Sequence, residues 1–207
     1  MKKIICYSLW GNNSTYTHGV EANFNLIKKF YPDWQMVVYY DNTVSTEFLQ
    51  NKEITFIEFD SKYNGGLARY LGLFNSDLYL SRDLDSRITE REVQCVNRWL
   101  NSPQKILSLK DHKNHMNRPL LEGMFGVKNG FDQDDYDALQ KHIYNKKWAT
   151  DSVYLRERVA EKYKNDILEY TCFDDEYLKT TRTKDFMGQG YYADGRPRYH
   201  WLTGVPL

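Results

Sequence analysis

Apolar strand-like runs and amphipathic helix-like segments alternate along the chain from its first residues, and this order restricts it to an α/β layer built on a largely parallel sheet. Residues 3–10 read as a first strand followed by a polar loop, after which Val20, Phe24, Ile27 and Phe30 keep helical spacing until Pro32 stops them. Residues 34–40 and 54–59 read as the next strands, with a short helix at 46–50 between them. Gly65-Gly66 opens a helix to Phe74, and residues 77–80 begin a fourth strand that runs directly into charge at Arg82, Asp83 and Asp85. Thr89 to Glu92 fits a capping box for a helix whose apolar face is Val93, Val96, Trp99 and Leu100. Strands are expected at 105–109 and 123–127 around a His-rich loop, then helices at 132–144 and 151–163, then a less regular tail. No repeat or linker interrupts the pattern, so residues 1–207 are assigned to a single domain, long enough to bury a core without disulfide or metal staples.

Basic and acidic residues number 28 each, so no net field draws the chain to nucleic acid or an anionic membrane, and a phosphate-bearing ligand needs a local site. Cys6, Cys95 and Cys172 are odd in number and scattered, which excludes a zinc or redox pair and suits a reducing, cytoplasmic compartment. The apolar stretch at the N-terminus is too short for a signal-peptide core. No run approaches the roughly 20 apolar residues that span a bilayer, so no membrane insertion is expected.

Chemistry concentrates after the fourth strand. In extended backbone, Asp83 and Asp85 would share a face while Leu84 points to the opposite layer. Two hard oxygen donors on one side suit Mg²⁺ or Mn²⁺, which is commonly held by one or two carboxylates plus substrate phosphates. A bare D-x-D is common in solvated turns. Here it ends an apolar strand, and Ser81, Arg82, Ser86 and Arg87 around it could all donate to phosphate or ribose oxygens.

Ser81-Arg82-Asp83-Leu84-Asp85-Ser86-Arg87 resembles the S-R-D-x-D-S-R signature of a GT-A glycosyltransferase family found in bacterial surface-polysaccharide clusters and large viruses. Lys110-Asp111-His112-Lys113-Asn114-His115 is similar to its R-D-H-P-x-H segment, Gly123 to Lys128 to its G-M-W-G-x-K, and Phe186-Met187-Gly188-Gln189 to an F-x-G-Q near the end. Lys110, Lys113 and Phe125 depart from the pattern, as does Ser152, which follows Asp151 where the family has Gln. The resemblance implies a Rossmann-like GT-A domain with a mixed, largely parallel sheet. It implies a metal-dependent transferase that moves a hexosyl or deoxyhexosyl unit from a nucleotide-diphosphate sugar, UDP-linked, to a glycan acceptor, with capsid glycosylation in the host cytoplasm as a viral setting.

Beside Asp83 and Asp85, other residues are candidates. Ser8, Trp10 and Gly11 follow the first strand, where such enzymes hold the base, and Asp41 closes the second strand, where a turn residue is the bland alternative. Arg69 could reach the diphosphate, as could Arg82. Asp111 and His112 could read the sugar hydroxyls beside Gly123, with His115 a weaker candidate for the metal, and His200 could supply a third metal ligand. Asp151 is the candidate base of an inverting transfer. A retaining transfer, in which the departing phosphate takes the acceptor's proton, is the expected course because the His-rich and Gly-Met-Phe-Gly segments are similar to those of retaining enzymes. A non-catalytic sugar- or nucleotide-binding module is the alternative from another class. It would keep the aromatics and have no use for Asp85.

Overall fold

The computed structural model describes residues 1–183 and 185–198. Seven strands form one sheet: β1 (Lys3–Leu9), β2 (Gln35–Tyr40), β3 (Thr55–Glu58), β4 (Leu78–Arg82), β5 (Ile106–Lys110), β6 (Met124–Lys128) and β7 (Ile167–Thr171). Their order is β3-β2-β1-β4-β6-β5-β7. The pairs among β1 to β4 are parallel, β6 runs antiparallel to both β4 and β5, and β5 pairs parallel with β7. The mixed, largely parallel sheet expected from the sequence is therefore present. β1 lies between β2 and β4, so the chain winds outward in both directions from it, and a crevice opens at the carboxyl ends of these strands.

Alternation on β1 splits the core. Ile5, Tyr7 and Leu9 join a cluster with Phe24, Ile27 and Trp99 on one face, beneath α1 (Ser14–Phe30) and α3 (Glu90–Leu100). Ile4 and Cys6 join Leu67, Leu139 and Leu155 on the other, beneath α2 (Gly65–Ala68), α4 (Gln133–Ile143) and α5 (Thr150–Tyr154). All three cysteines are buried and free.

Three differences from expectation have local causes. Helix α1 begins at Ser14 because the Asn13 side chain accepts from Thr15 N, and its polar first turn carries no apolar period. Thr89 caps α3 through Glu92 N, but the Glu92 carboxylate does not return to the cap: it lies buried against Arg82, 2.7 Å away, so only half of the box forms. Strand β7 and the short α6 (Glu176–Thr180) lie in the segment read as an irregular tail. β7 is an edge strand that is only partly buried, and five residues leave little pattern to read.

Candidate active site

Strand β4 ends at Arg82, and Asp83 to Ser86 form a turn closed by Ser86 N donating to Asp83 O at 3.1 Å. The two carboxylates reach the same cavity through this turn and not through strand alternation, while Leu84 is buried in the core between them. The other residues of the motif fasten the turn. Ser81 Oγ donates to Glu122 O (2.6 Å), Ser86 Oγ to Asp83 O (2.8 Å), and Arg87 to the carbonyls of Leu84 (2.9 Å) and Ser86 (2.8 Å). Arg82, expected among the phosphate donors, is buried against Glu92 and lines neither cavity described below. Its guanidinium needs a buried counter-charge, and only the core supplies one.

A residue that sequence reasoning missed locks the turn from behind. Asn23 on α1 is buried, and its amide donates to Gly19 O, Leu84 O and Ser86 O at 3.0–3.1 Å. Gly19 permits this approach, since a Cβ there would stand 1.9 Å from Leu84 O. A buried Asn and a Gly in mid-helix are unfavourable choices on propensity alone, and that local conflict was the available signal.

Two cavities meet over the crevice. One, of about 440 Å³, runs from Ser8 and Trp10 past Arg69 to Asp83, Asp85 and Asp151. The other, of about 500 Å³, shares Trp10, Arg69, Asp83 and Asp151 and extends to Asp41, Glu122 and Trp148. Arg69 sits at their junction. Its guanidinium holds an Asp83 carboxylate oxygen, donates to Arg82 O at 3.0 Å and lies 3.9 Å from Asp151. Burial opposes its charge, yet Asp83 and Asp151 outweigh that and keep it protonated. Ser8 serves as a prop, its Oγ accepting from Arg69 N at 3.0 Å.

Asp83 is 46% exposed at its side chain, and Gly123 makes that possible: a Cβ at residue 123 would lie 2.1 Å from Asp83 Oδ2. The Asp85 carboxyl is raised to about 6, first by burial and then by Asp83 beside it, against the opposing pull of Arg198. Arg198 Nη1 donates to Asp85 Oδ2 at 2.5 Å. Among the described residues no group of three or more His, Cys, Asp or Glu could hold a metal. The two carboxylates alone still fit a hard divalent ion, because they open on one cavity, each already attracts a cationic group, and phosphate and water can complete the shell. His200 lies outside the described residues.

Trp10 is half-exposed over α2, where a Cβ on Gly65 would meet its ring at 2.5 Å. Gly11, with φ of +66°, donates to Thr43 Oγ1 at 2.7 Å, and Thr43 in turn hydrogen-bonds Asp41, which ties the loops after β1 and β2 together. Asp151 lies in the first turn of α5, whose N-cap Ala149 has a φ of +63°, a left-handed conformation uncommon for alanine. Glu122, also missed from sequence, accepts from Arg118 at 3.1 Å and from Ser152. Asn64 caps α2 and donates to Asn145 O at 2.8 Å, and an Asn before Gly-Gly was a readable cap signal.

The His-rich loop is placed elsewhere. Asp111 is buried, held by both terminal nitrogens of Arg91 (2.5 and 3.1 Å) and by Met187 N (2.9 Å), and it lines neither cavity. It thus lies apart from the cavities that hold Asp83 and Asp85, beside which the donor sugar was expected. His112 is also buried, its Nδ1 accepting from Asn114 N at 3.1 Å and its ring centred 4.6 Å from that of Phe186. These two motif segments thus meet each other and form a core contact.

The mixed, largely parallel sheet flanked by helices is the GT-A glycosyltransferase fold. Solved structures similar to it include TarS from S. aureus (TM-score 0.56, 13% identity, 82% of this chain and 58% of that one), also solved with UDP-GlcNAc. They include a mannosyltransferase from Pyrobaculum calidifontis in complex with GDP-Man and Mn²⁺ (0.57, 11%, 82% and 55%). A third is glucosyl-3-phosphoglycerate synthase from Mycobacterium tuberculosis with Mn²⁺, UDP and phosphoglyceric acid (0.56, 10%, 82% and 68%). The chain spans little more than half the length of the first two. No protein-family model and no curated protein sequence matches it. No helix among the described residues is long and apolar enough to cross a membrane.

Proposed function

We propose that the chain transfers a hexosyl or deoxyhexosyl unit from a nucleotide-diphosphate sugar, UDP-linked, to a glycan acceptor, with Mn²⁺ or Mg²⁺ held by Asp83 and Asp85. The observation that carries this reading is the junction of Arg69, Asp83, Asp85 and Asp151 in one cavity at the carboxyl ends of β1 and β4. An ion held there would supply the positive charge that neutralises the departing diphosphate. Trp10 offers a face to the base, Asp41 lies beyond it at the end of β2, and Arg69 keeps Asp83 oriented while adding positive charge next to the leaving group.

Asp151 is the carboxylate best placed to take the acceptor's proton. Its oxygen accepts that proton as the acceptor oxygen bonds the anomeric carbon. The bond from that carbon to the diphosphate breaks, and its electron pair leaves with the diphosphate. This course inverts the anomeric centre, and an accessible carboxylate at the junction favours it over the retaining course expected from the motifs. By the same resemblance the acceptor is a surface or capsid glycan.

Asp85→Ala should abolish Mn²⁺-dependent binding of a nucleoside diphosphate and leave the circular dichroism spectrum unchanged. Slow hydrolysis of a nucleotide sugar by the wild-type chain, read by mass spectrometry, separates a transferase from a binding module. Metal-independent binding with no turnover would reject the proposal, and proton NMR of the anomeric product decides between inversion and retention.

A further inference from the structure

We infer that Arg198 is a resident counter-cation of Asp85, which yields that carboxylate to the divalent ion and then takes the donor's diphosphate. The inference rests on the metal reading proposed above and concerns a residue that no motif marks. Two carboxylates in one cavity repel each other unless cations sit beside them, and the chain supplies one guanidinium to each. The two are not equivalent. Arg69 is 6% exposed at its side chain and anchored by Arg82 O, so its bond to Asp83 is a fixed part of the core. Arg198 is 39% exposed and stands on a hairpin that turns at Gly195 (φ of +80°).

That hairpin is seated on the acidic turn. Ser86 pairs with Gly190 and Tyr191 with Pro197 in antiparallel bridges, Tyr191 N donates to Asp85 O at 2.7 Å, and Arg198 N donates to Gly190 O at 2.7 Å. The backbone at Gly190 lies close to the carboxylate, with room for a Cβ only 3.3 Å from Asp85 Oδ2. The hairpin backbone thus fixes where the Arg198 side chain starts, while the guanidinium itself is held by an Asp85 oxygen, by the Tyr16 side chain and by the face of Tyr192, 5.7 Å away. A divalent ion held by Asp83 and Asp85 would compete for the oxygen that Arg198 holds. Once displaced, the guanidinium remains within its own side chain's reach of the cavity, and its planar fork suits phosphate oxygens better than a point charge does.

The test compares wild type with Arg198→Ala and Arg198→Lys, first titrating Mn²⁺ alone by electron paramagnetic resonance. UDP and, in parallel, GDP are then titrated calorimetrically at saturating Mn²⁺. Removing the competing charge should tighten Mn²⁺ about fivefold in Arg198→Ala, the scale of one partly exposed ion pair. Loss of a charge-assisted phosphate contact should weaken the nucleoside diphosphate about tenfold in the same variant. Arg198→Lys, which keeps charge and hairpin, should bind Mn²⁺ like wild type and the diphosphate more weakly. Equal or weaker Mn²⁺ binding by Arg198→Ala overturns the exchange, and unchanged diphosphate binding by both variants overturns the phosphate contact. Absence of Mn²⁺ binding in wild type overturns the proposed function itself and the exchange with it.

Discussion

Asp85 bears a cost that serves no folding purpose. Its carboxyl is raised to about 6 from an ordinary value of 3.8, so the folded chain prefers it protonated, and the stability this gives is lost as pH rises through the interval between those values. At pH 8 the carboxylate is charged in a buried place beside Asp83. Asp85→Asn should therefore raise the melting temperature at pH 8, by an amount equivalent to about 3 kcal/mol. The gain should shrink towards pH 4, where both forms are neutral, and the same variant should lose Mn²⁺. Equal melting temperatures at pH 8 would remove the argument that function holds this charge in place. Gly123 makes a second residue-scale case: Gly123→Ala forces a methyl into the space of Asp83 Oδ2 and should weaken Mn²⁺ binding at least about tenfold without unfolding the sheet. Titration by electron paramagnetic resonance checks it.

At the scale of elements, α1 does more than cover the sheet. Asn23 holds two carbonyls of the acidic turn, and Asn23→Ala should cost about 1–3 kcal/mol in urea unfolding and loosen the metal site, because those acceptors lose a buried donor. Asp111 belongs to the same class of residue. Its pair with Arg91 joins β5 to α3, and Met187 N adds the chain's late segment, so Asp111→Ala strands a buried guanidinium and should cost about 3–5 kcal/mol. Binding of a nucleotide sugar and of the bare diphosphate should fall together in this variant, in step with the unfolded fraction. A selective loss for the sugar-bearing ligand would restore Asp111 to the sugar subsite.

At the scale of the whole molecule, the site is a product of strand order. Trp10 follows β1, Asp41 follows β2 and Asp83 follows β4, and they converge because β1 lies between its two parallel partners. The sequence by itself determined the α/β layer, most of its strands and the acidic turn, since apolar runs of strand length and paired carboxylates are local signals that need no partner to be read. It could not determine which arginine meets which acid. Arg82 and Arg69 look equally suited to phosphate from their neighbours in sequence, yet one faces the core and Glu92 while the other faces the cavity and Asp83. Asp111, in a motif segment, proved to be a core ion pair, whereas Glu122 and Arg198, with no mark of their own, line the larger cavity and hold Asp85. Tertiary structure decided these assignments because a buried charge takes the counter-charge that folding brings within reach, and residues 10, 20 or 113 positions apart become neighbours only when the sheet has formed.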